Sequence, residues 1–474
     1  MGSFSIFVSY STKKQDLNYL TGMKYNIISL LTSSLILASC VQHHQINDTK
    51  RVDGHPDWMQ QANVYEVNTR QYTPAGTFNA FAKQLPRLKD MGVEILWFMP
   101  INPISKVDRK GTLGSYYAVS DYTAINPEYG TLADWKSLVN QAHDMGFKVL
   151  IDWVPNHTGA DHAWLTTHPD FYVRDSVTGK AVSQFDWTDT RKLNYKNPIV
   201  ADSMLAAMQY WIRETQIDGY RCDQAHLVDS NFWYKAISAL KKEKNILMIA
   251  ESEDPWVHRA GFDISYPWKA FHVMVDIASG RKNALALDTV QHYIDTTFTK
   301  NASLLYFTSN HDENSWNKAD FGTMPGLTHE PFAVLTQTLP RSVPMIYSGQ
   351  EEPILRAIPF FEKDTISFKK YIRASFYKKL LMLRATNPAL AANIPMKRIK
   401  TPADTAVYIF TRSIKENSIL VITNLSGKTQ NIELKKEEIE PFINKKSLEY
   451  LKANNMITAG KIQLLPWESR VYAY

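Results

Sequence analysis

The sequence predicts an α/β protein: a (β/α)8 barrel with a loop-rich insertion, followed by a small antiparallel β domain. Three observations lead there. LKDMGVEILWFMP (88–100) and AHDMGFKVLIDWVP (142–155) repeat one design, an amphipathic stretch closed by a C-cap glycine and followed at once by an apolar strand. Eight such apolar runs alternate with helical patterns, and strands apolar on both faces imply parallel pairing. After NPALAANIP (387–395) the pattern changes to short alternating strands. No glycine-rich dinucleotide fingerprint follows the first strand, which favours a closed barrel over an open doubly wound sheet.

Length and composition suit this reading. With 474 residues, 44% hydrophobic and 12% aromatic, the chain can form one large domain and a smaller companion. A formal charge of +6, spread without a sustained basic run, excludes a dedicated nucleic-acid surface. The 12 Trp and 24 Tyr suit flat, hydroxyl-rich ligands, and they serve equally as core filler.

The chain begins with residues 1–22, which read as an upstream extension. From Met23, MKYNIISLLTSSLILASC places Lys24 before an apolar run that ends in Leu37, Ala38, Ser39 and Cys40. This order resembles a bacterial secretion signal ending in a lipobox. The run is shorter than the roughly 20 residues a spanning helix needs. The resemblance implies cleavage before Cys40 and lipid attachment to its sulfur, making a cell-envelope lipoprotein whose membrane contact is the lipid anchor alone. Residues 41–57 form a polar tether, and the lack of an acidic cluster after Cys40 favours a periplasm-facing anchor over the cell surface. With Cys40 lipidated, Cys222 has no disulfide partner, so core packing must hold the fold.

The barrel is expected over residues 58–387. Its strands are NVYEVN (63–68), VEILWFMP (93–100), FKVLIDWV (147–154), DGYRCD (218–223), ILMIAE (246–251), FDISYPW (262–268), SLLYFTSN (303–310) and VPMIYSG (343–349). Helical patterns run over 77–91, 131–145, 199–215 and 366–386. Residues 155–198, rich in Asp, His, Pro and Trp, form an excursion at the barrel's top, and excursions of that length are usually functional. The tail, 388–474, contains AVYIFTRS, SILVITNLS, QNIEL and SRVYAY and is expected to form a β-sandwich.

In a parallel barrel the C-terminal strand ends surround one cavity. Strand three ends in Asp152, Asn156 and His157, strand four in Arg221 and Asp223, strand five in Glu251, and strand seven in Asn310, His311 and Asp312. A single Asp at a strand end more often caps a helix or bonds a loop. Convergence of several carboxylates is electrostatically costly, and a purely structural site has little reason for it. Glycosidic bond cleavage needs such a set: one ionised carboxylate to attack the anomeric carbon and one protonated carboxyl for the leaving oxygen, roughly 5 Å apart when configuration is retained. Arg221 lies on the same strand face as Asp223 and should keep it ionised, which makes Asp223 the nucleophile candidate. Glu251 has no basic neighbour in sequence and is expected to stay protonated by burial, as a general acid must.

DWVPNH (152–157), GYRCDQAH (219–226), AESED (250–254) and FTSNHD (307–312) resemble, in order and spacing, the four motifs of the α-amylase family of glycoside hydrolases. The resemblance extends to GSYYAVSDYTAINPEYGT (114–131) and YSGQE (347–351). It implies Asp223 as nucleophile, Glu251 as acid/base and Asp312 as the third carboxylate, with Arg221 the partner of the nucleophile. His157 and His311 match sugar-bonding histidines, Tyr117 the aromatic platform under the sugar, and Asp152 a supporting position. The 155–198 excursion corresponds to the family's B domain and the tail to its C domain. Asn156 matches a position that often binds a structural calcium; the alternative is an asparagine bonding its own loop. Gln224 and His226 replace residues that touch reducing-side sugars in many starch-cleaving members. No cofactor is implied for the chemistry. The expected substrate is an α-1,4-linked maltooligosaccharide or starch fragment; transglycosylation, α-glucosidase action and non-catalytic sugar binding are the rivals.

Overall fold

The computed structural model describes residues 50–447, 449–452 and 456–474. The extension 1–22, the signal with Cys40 and most of the tether lie outside the described residues. Eight parallel strands follow in chain order: β1 (Val64–Val67), β2 (Ile95–Phe98), β3 (Lys148–Trp153), β4 (Gly219–Cys222), β5 (Leu247–Ala250), β6 (Ile264–Ser265), β7 (Ser303–Leu304) and β8 (Met345–Tyr347). β8 pairs with β1, Met345 opposite Val64. The sheet closes between β7 and β8 through Leu304 N–H to Arg341 O (2.7 Å), Val343 N–H to Leu304 O (2.9 Å) and Met345 N–H to Tyr306 O (2.8 Å). A (β/α)8 barrel results, as its doubly apolar strands predict.

Local chemistry accounts for the turns that feed it. Gly92, in the left-handed region at φ 94°, ends the helix Leu85–Met91 by donating to Leu88 O and Lys89 O, and the chain enters β2 directly. Thr131 and Asp134 form a reciprocal capping box on the helix Leu132–Asp144. Gly219 opens β4 at φ 149°; a Cβ there would stand 1.9 Å from Leu247 O, so the close approach of β5 demands glycine.

Two expectations need correction. The helical pattern 366–386 yields a helix only over Ala374–Thr386. Before it, the backbone N–H groups of Lys369, Lys370 and Tyr371 bind the Glu352 carboxylate, and Tyr371 turns to φ 48°, so a helix cannot propagate. The tail also contains a helix, Lys436–Asn444, with Pro441 inside it, which its strand-like flanks hid.

Otherwise the tail is antiparallel β. It comprises β9 (Lys397–Ile399), β10 (Val407–Ile414), β11 (Asn417–Asn424), β12 (Gln430–Leu434), β13 (Gly460–Leu464) and β14 (Ser469–Ala473). One sheet runs β9-β10-β11-β14, and β12 pairs with β13. Tyr408, Phe410 and Val421 of this sheet share a core with Met274, Leu287 and Ile294 on the barrel's outer helices. Two fully buried arginines bind main-chain carbonyls here, Arg384 within the barrel and Arg412 across the seam. Arg384 donates to the carbonyls of Ala62 (3.0 Å), Gln337 (3.1 Å) and Gln60 (3.2 Å), and Arg412, from β10, to those of Thr338 (3.0 Å), Leu339 (3.1 Å) and Ile394 (2.7 Å). Among the described residues no helix is long and apolar enough to cross a membrane.

The excursion after β3 folds back as a short hairpin, His157–Gly159 against Thr190–Lys192, with a helical turn at Trp164–Thr167. It stands at the C-terminal strand ends, where His157, Trp187, Asp189 and Thr190 line a cavity.

Candidate active site

Register sets the site. Asp152 lies opposite Arg221 across β3 and β4, and Cys222 opposite Ala250 across β4 and β5. Asp152, Arg221, Asp223 and Glu251 are therefore at neighbouring heights, with Arg221 and Asp223 on one face. Arg221 is the centre of the cluster and fully buried. Its Nη1 donates to Asp152 Oδ1 (2.9 Å) and to Asp223 Oδ1 (3.2 Å), and its Nη2 lies 3.0 Å from Glu251 Oε2. Trp97 and Tyr266 present ring faces to the guanidinium at 5.0 and 5.7 Å and keep water from it.

Glu251 has no basic neighbour in sequence, and strand register supplies one that sequence distance conceals. Gln224 adds two more bonds. Held at φ 42°, it gives Glu251 Oε2 its backbone N–H (2.8 Å) and its side-chain amide (3.1 Å). Three carboxylates thus share one guanidinium, and such a buried set takes up a proton. Burial, then the charge of Glu251, raise the Asp223 carboxyl well above the usual range despite Arg221. Arg221 pulls the other way, as its place beside Asp223 on the strand implies, against burial and Glu251. Burial likewise lifts Asp152 to about 6 against the pull of Arg221 and His311.

A second chain of contacts joins the third carboxylate to this cluster. His311 Nδ1 meets Glu66 Oε1 at 2.5 Å, while its Nε2 lies 2.8 Å from Tyr117 Oη and 3.4 Å from Asp312 Oδ2. Tyr117 then donates to Asp152 Oδ2 at 3.0 Å. Burial opposes a charge on His311, but Asp312 and Glu66 outweigh it and lift its pKa to about 9. The sign follows from linkage. A histidine raised from about 6.5 to about 9 lends stability that is complete below pH 6.5 and fades as pH climbs through 9. Denaturant unfolding between pH 6.5 and 9.5 should show a loss of about 3 kcal/mol. H311Q should lack this slope; an identical slope in the variant would refute the assignment.

Tyr117, His157, Asp223 and Asp312 line a cavity of about 330 Å³ at the strand ends. Burial lowers His157 to about 4, so it is neutral, and its Nε2 is buried without a hydrogen-bond partner. Asp152, Arg221 and His311, expected to bind substrate, are buried beneath the cavity rather than on its wall. Glu251 stands behind the wall, joined to it by Gln224. Its Oε1 accepts no hydrogen bond among the described residues. His226 points outward.

Several members of the site escaped sequence reasoning. Glu66 carried a signal, a lone carboxylate inside the apolar run of β1. Phe360 and Trp316 carried none: Phe360 comes from the loop after β8, and Trp316 from the short helix His311–Asn317 after β7, which has no apolar periodicity. Phe360 lies nearly parallel to Tyr117 at 6.3 Å, and Trp316 packs on Phe360 at 5.5 Å. The thiol of Cys222 is buried, which pushes its pKa well up and leaves it inert.

The calcium reading of Asn156 finds no cage. Its amide turns to His157 Nδ1 (3.2 Å), and its carbonyl accepts the Leu193 N–H (3.1 Å). Among the described residues no three His, Cys, Asp or Glu side chains are grouped to hold a metal. A calcium ion needs six to eight oxygens. No step below uses a calcium ion.

Fold and site together define a glycoside hydrolase on a (β/α)8 barrel, with its carboxylates at the strand ends. The chain belongs to the alpha-amylase family: the model of the alpha-amylase catalytic domain matches residues 47–189 and 173–370, and that of the alpha-amylase SusG C-terminal domain matches 407–471. It is similar to alpha-amylase MalA of Haloarcula japonica, 24% identical over 80% of this chain and 57% of that protein. It is also similar to a cyclomaltodextrinase of Thermoanaerobacter pseudethanolicus, 26% identical over 77% of this chain and 66% of that one. The chain spans less than two thirds of either relative. Among solved structures, a noncanonic maltogenic alpha-amylase AmyB from Thermotoga neapolitana superposes with TM-score 0.78, at 26% identity, covering 88% of this chain and 99% of that one.

Proposed function

We propose that the protein is a retaining hydrolase of α-1,4-glucosidic bonds in maltooligosaccharides and starch fragments. The observation that carries this is Arg221, which holds Asp223 and Glu251 together beside a cavity that Asp223 and Asp312 face. Asp223 attacks the anomeric carbon as its oxygen is drawn onto Arg221, and Glu251, with Oε1 unengaged, passes its proton to the leaving oxygen. Attack requires a proton on Glu251 and none on Asp223. Water then enters, Glu251 takes its proton, and the glycosyl ester to Asp223 breaks. Neutral His157, on the cavity wall with Nε2 unpartnered, is placed to bond a sugar hydroxyl, while His311 beneath the wall holds Tyr117 and Asp312 in position.

The test is incubation with maltose, maltoheptaose, pullulan, trehalose and starch, following products and their anomeric form by NMR over time. Maltoheptaose should be cleaved with α-anomers released first. Initial β-anomers, or binding without turnover, would reject the reading. Products longer than the substrate at high concentration would assign transglycosylation instead, since a sugar hydroxyl can intercept the same intermediate. The sequence from Lys24 to Cys40 supports placing this activity at a lipid anchor in the cell envelope, facing the periplasm.

A further inference from the structure

The rim of the cavity holds polar groups and rings that the cleavage chemistry does not use. Asp189 lines the cavity, is 2% exposed, and keeps Oδ2 without a hydrogen-bond partner. Its neighbour Lys110, also at the wall, places Nζ 3.7 Å from Asp189 Oδ1, beyond hydrogen-bond length, while reaching Asp186 O at 3.3 Å. A loop staple would be the ordinary reading of such a pair. That task is already performed beside it by Arg191 and Asp108 at 2.5 Å, and by Asp161 accepting the Lys106 N–H at 2.7 Å. The loop bearing Lys110 abuts the aromatic wall, for a Cβ on Gly111 would stand 2.6 Å from Phe361 Cβ. Trp316 packs on Phe361 at 5.9 Å, lines the same cavity, and leaves its indole 55% exposed.

Resting on the α-glucan reading above, we propose that Lys110, Asp189 and Trp316 form a second sugar-binding position at the cavity rim. The indole stacks on the apolar face of a pyranose, and the open Lys110–Asp189 pair takes two vicinal hydroxyls, ammonium donating to one and carboxylate accepting from the other. The torsion of an aspartate carboxylate is broad, so either oxygen can turn to the hydroxyl. A sugar held there ranks chains of two or more units above a lone glucose.

Calorimetric titration of maltoheptaose into E251Q, and into the same background with D189A, D189N or W316A, tests this. Each addition should weaken binding about tenfold, the scale of one hydrogen bond to a charged group or one lost stacking face. The melting temperature should hold, or rise in D189N, because a buried charge without a close partner is removed. Unchanged affinity in D189A and W316A, a loss that tracks a falling melting temperature, or no binding to E251Q itself would overturn the proposal. If the wild-type protein cleaves no glucan, the hydrolase reading fails separately, and the titrations still decide whether the rim binds sugar.

Discussion

D223N should release reducing ends from maltoheptaose at least about 10⁴-fold more slowly than the wild type, with its fold intact. Asn keeps the shape of the side chain but cannot form the glycosyl ester. The structure makes the second half of the expectation as pointed as the first. Asp223 is 7% exposed and is pressed against Glu251, so its carboxyl is held well above its usual pKa. An amide there removes one of the carboxylates crowding the guanidinium, and Arg221 keeps Asp152 and Glu251. The melting temperature should therefore stay level or rise. Lost turnover together with a lower melting temperature would make Asp223 a structural residue and sink the assignment.

R221M is expected to do the opposite, damaging both fold and activity. Removing the guanidinium leaves Asp152, fully buried, with Tyr117 as its remaining close donor, and strips Asp223 and Glu251 of their shared cation. Breaking a buried ion pair from one side costs about 3–5 kcal/mol. The pH dependence carries the diagnosis. Without Arg221, which lowers both, the Asp152 and Asp223 carboxyls are raised further, so the folded variant binds more protons than the unfolded chain, and acid favours it. The gap in urea midpoint between wild type and R221M should narrow from pH 7 to pH 5. A gap constant with pH would mean that lost packing against Trp97, rather than stranded charge, explains the damage.

These two variants mark what the chain reveals in one dimension and what it hides. Barrel topology is legible because each strand is a short apolar run between helical patterns, with Gly92 and Gly146 punctuating the first two repeats. Asp152, Asp223, Glu251 and Asp312 are legible as a group because each follows such a run. Arg221 serving Glu251 is not, since that contact comes from register between β4 and β5. The proton preference of the empty site is equally hidden: sequence shows Arg221 two positions from Asp223, while the balance is set by burial and by a carboxylate 28 positions on. Trp316 lies in a seven-residue helix and Phe360 in a loop, both without apolar periodicity, where only the fold says which side chains meet.

Arg412 bears on how the molecule can be cut. From the tail it spends its guanidinium on main-chain oxygens of the barrel, so deletion from residue 397 onward would bare an apolar seam and orphan the carbonyls of Thr338, Leu339 and Ile394. The tail is thus no detachable cassette. Barrel and tail should melt in one transition, and a chain nicked between them should stay joined until both halves come apart.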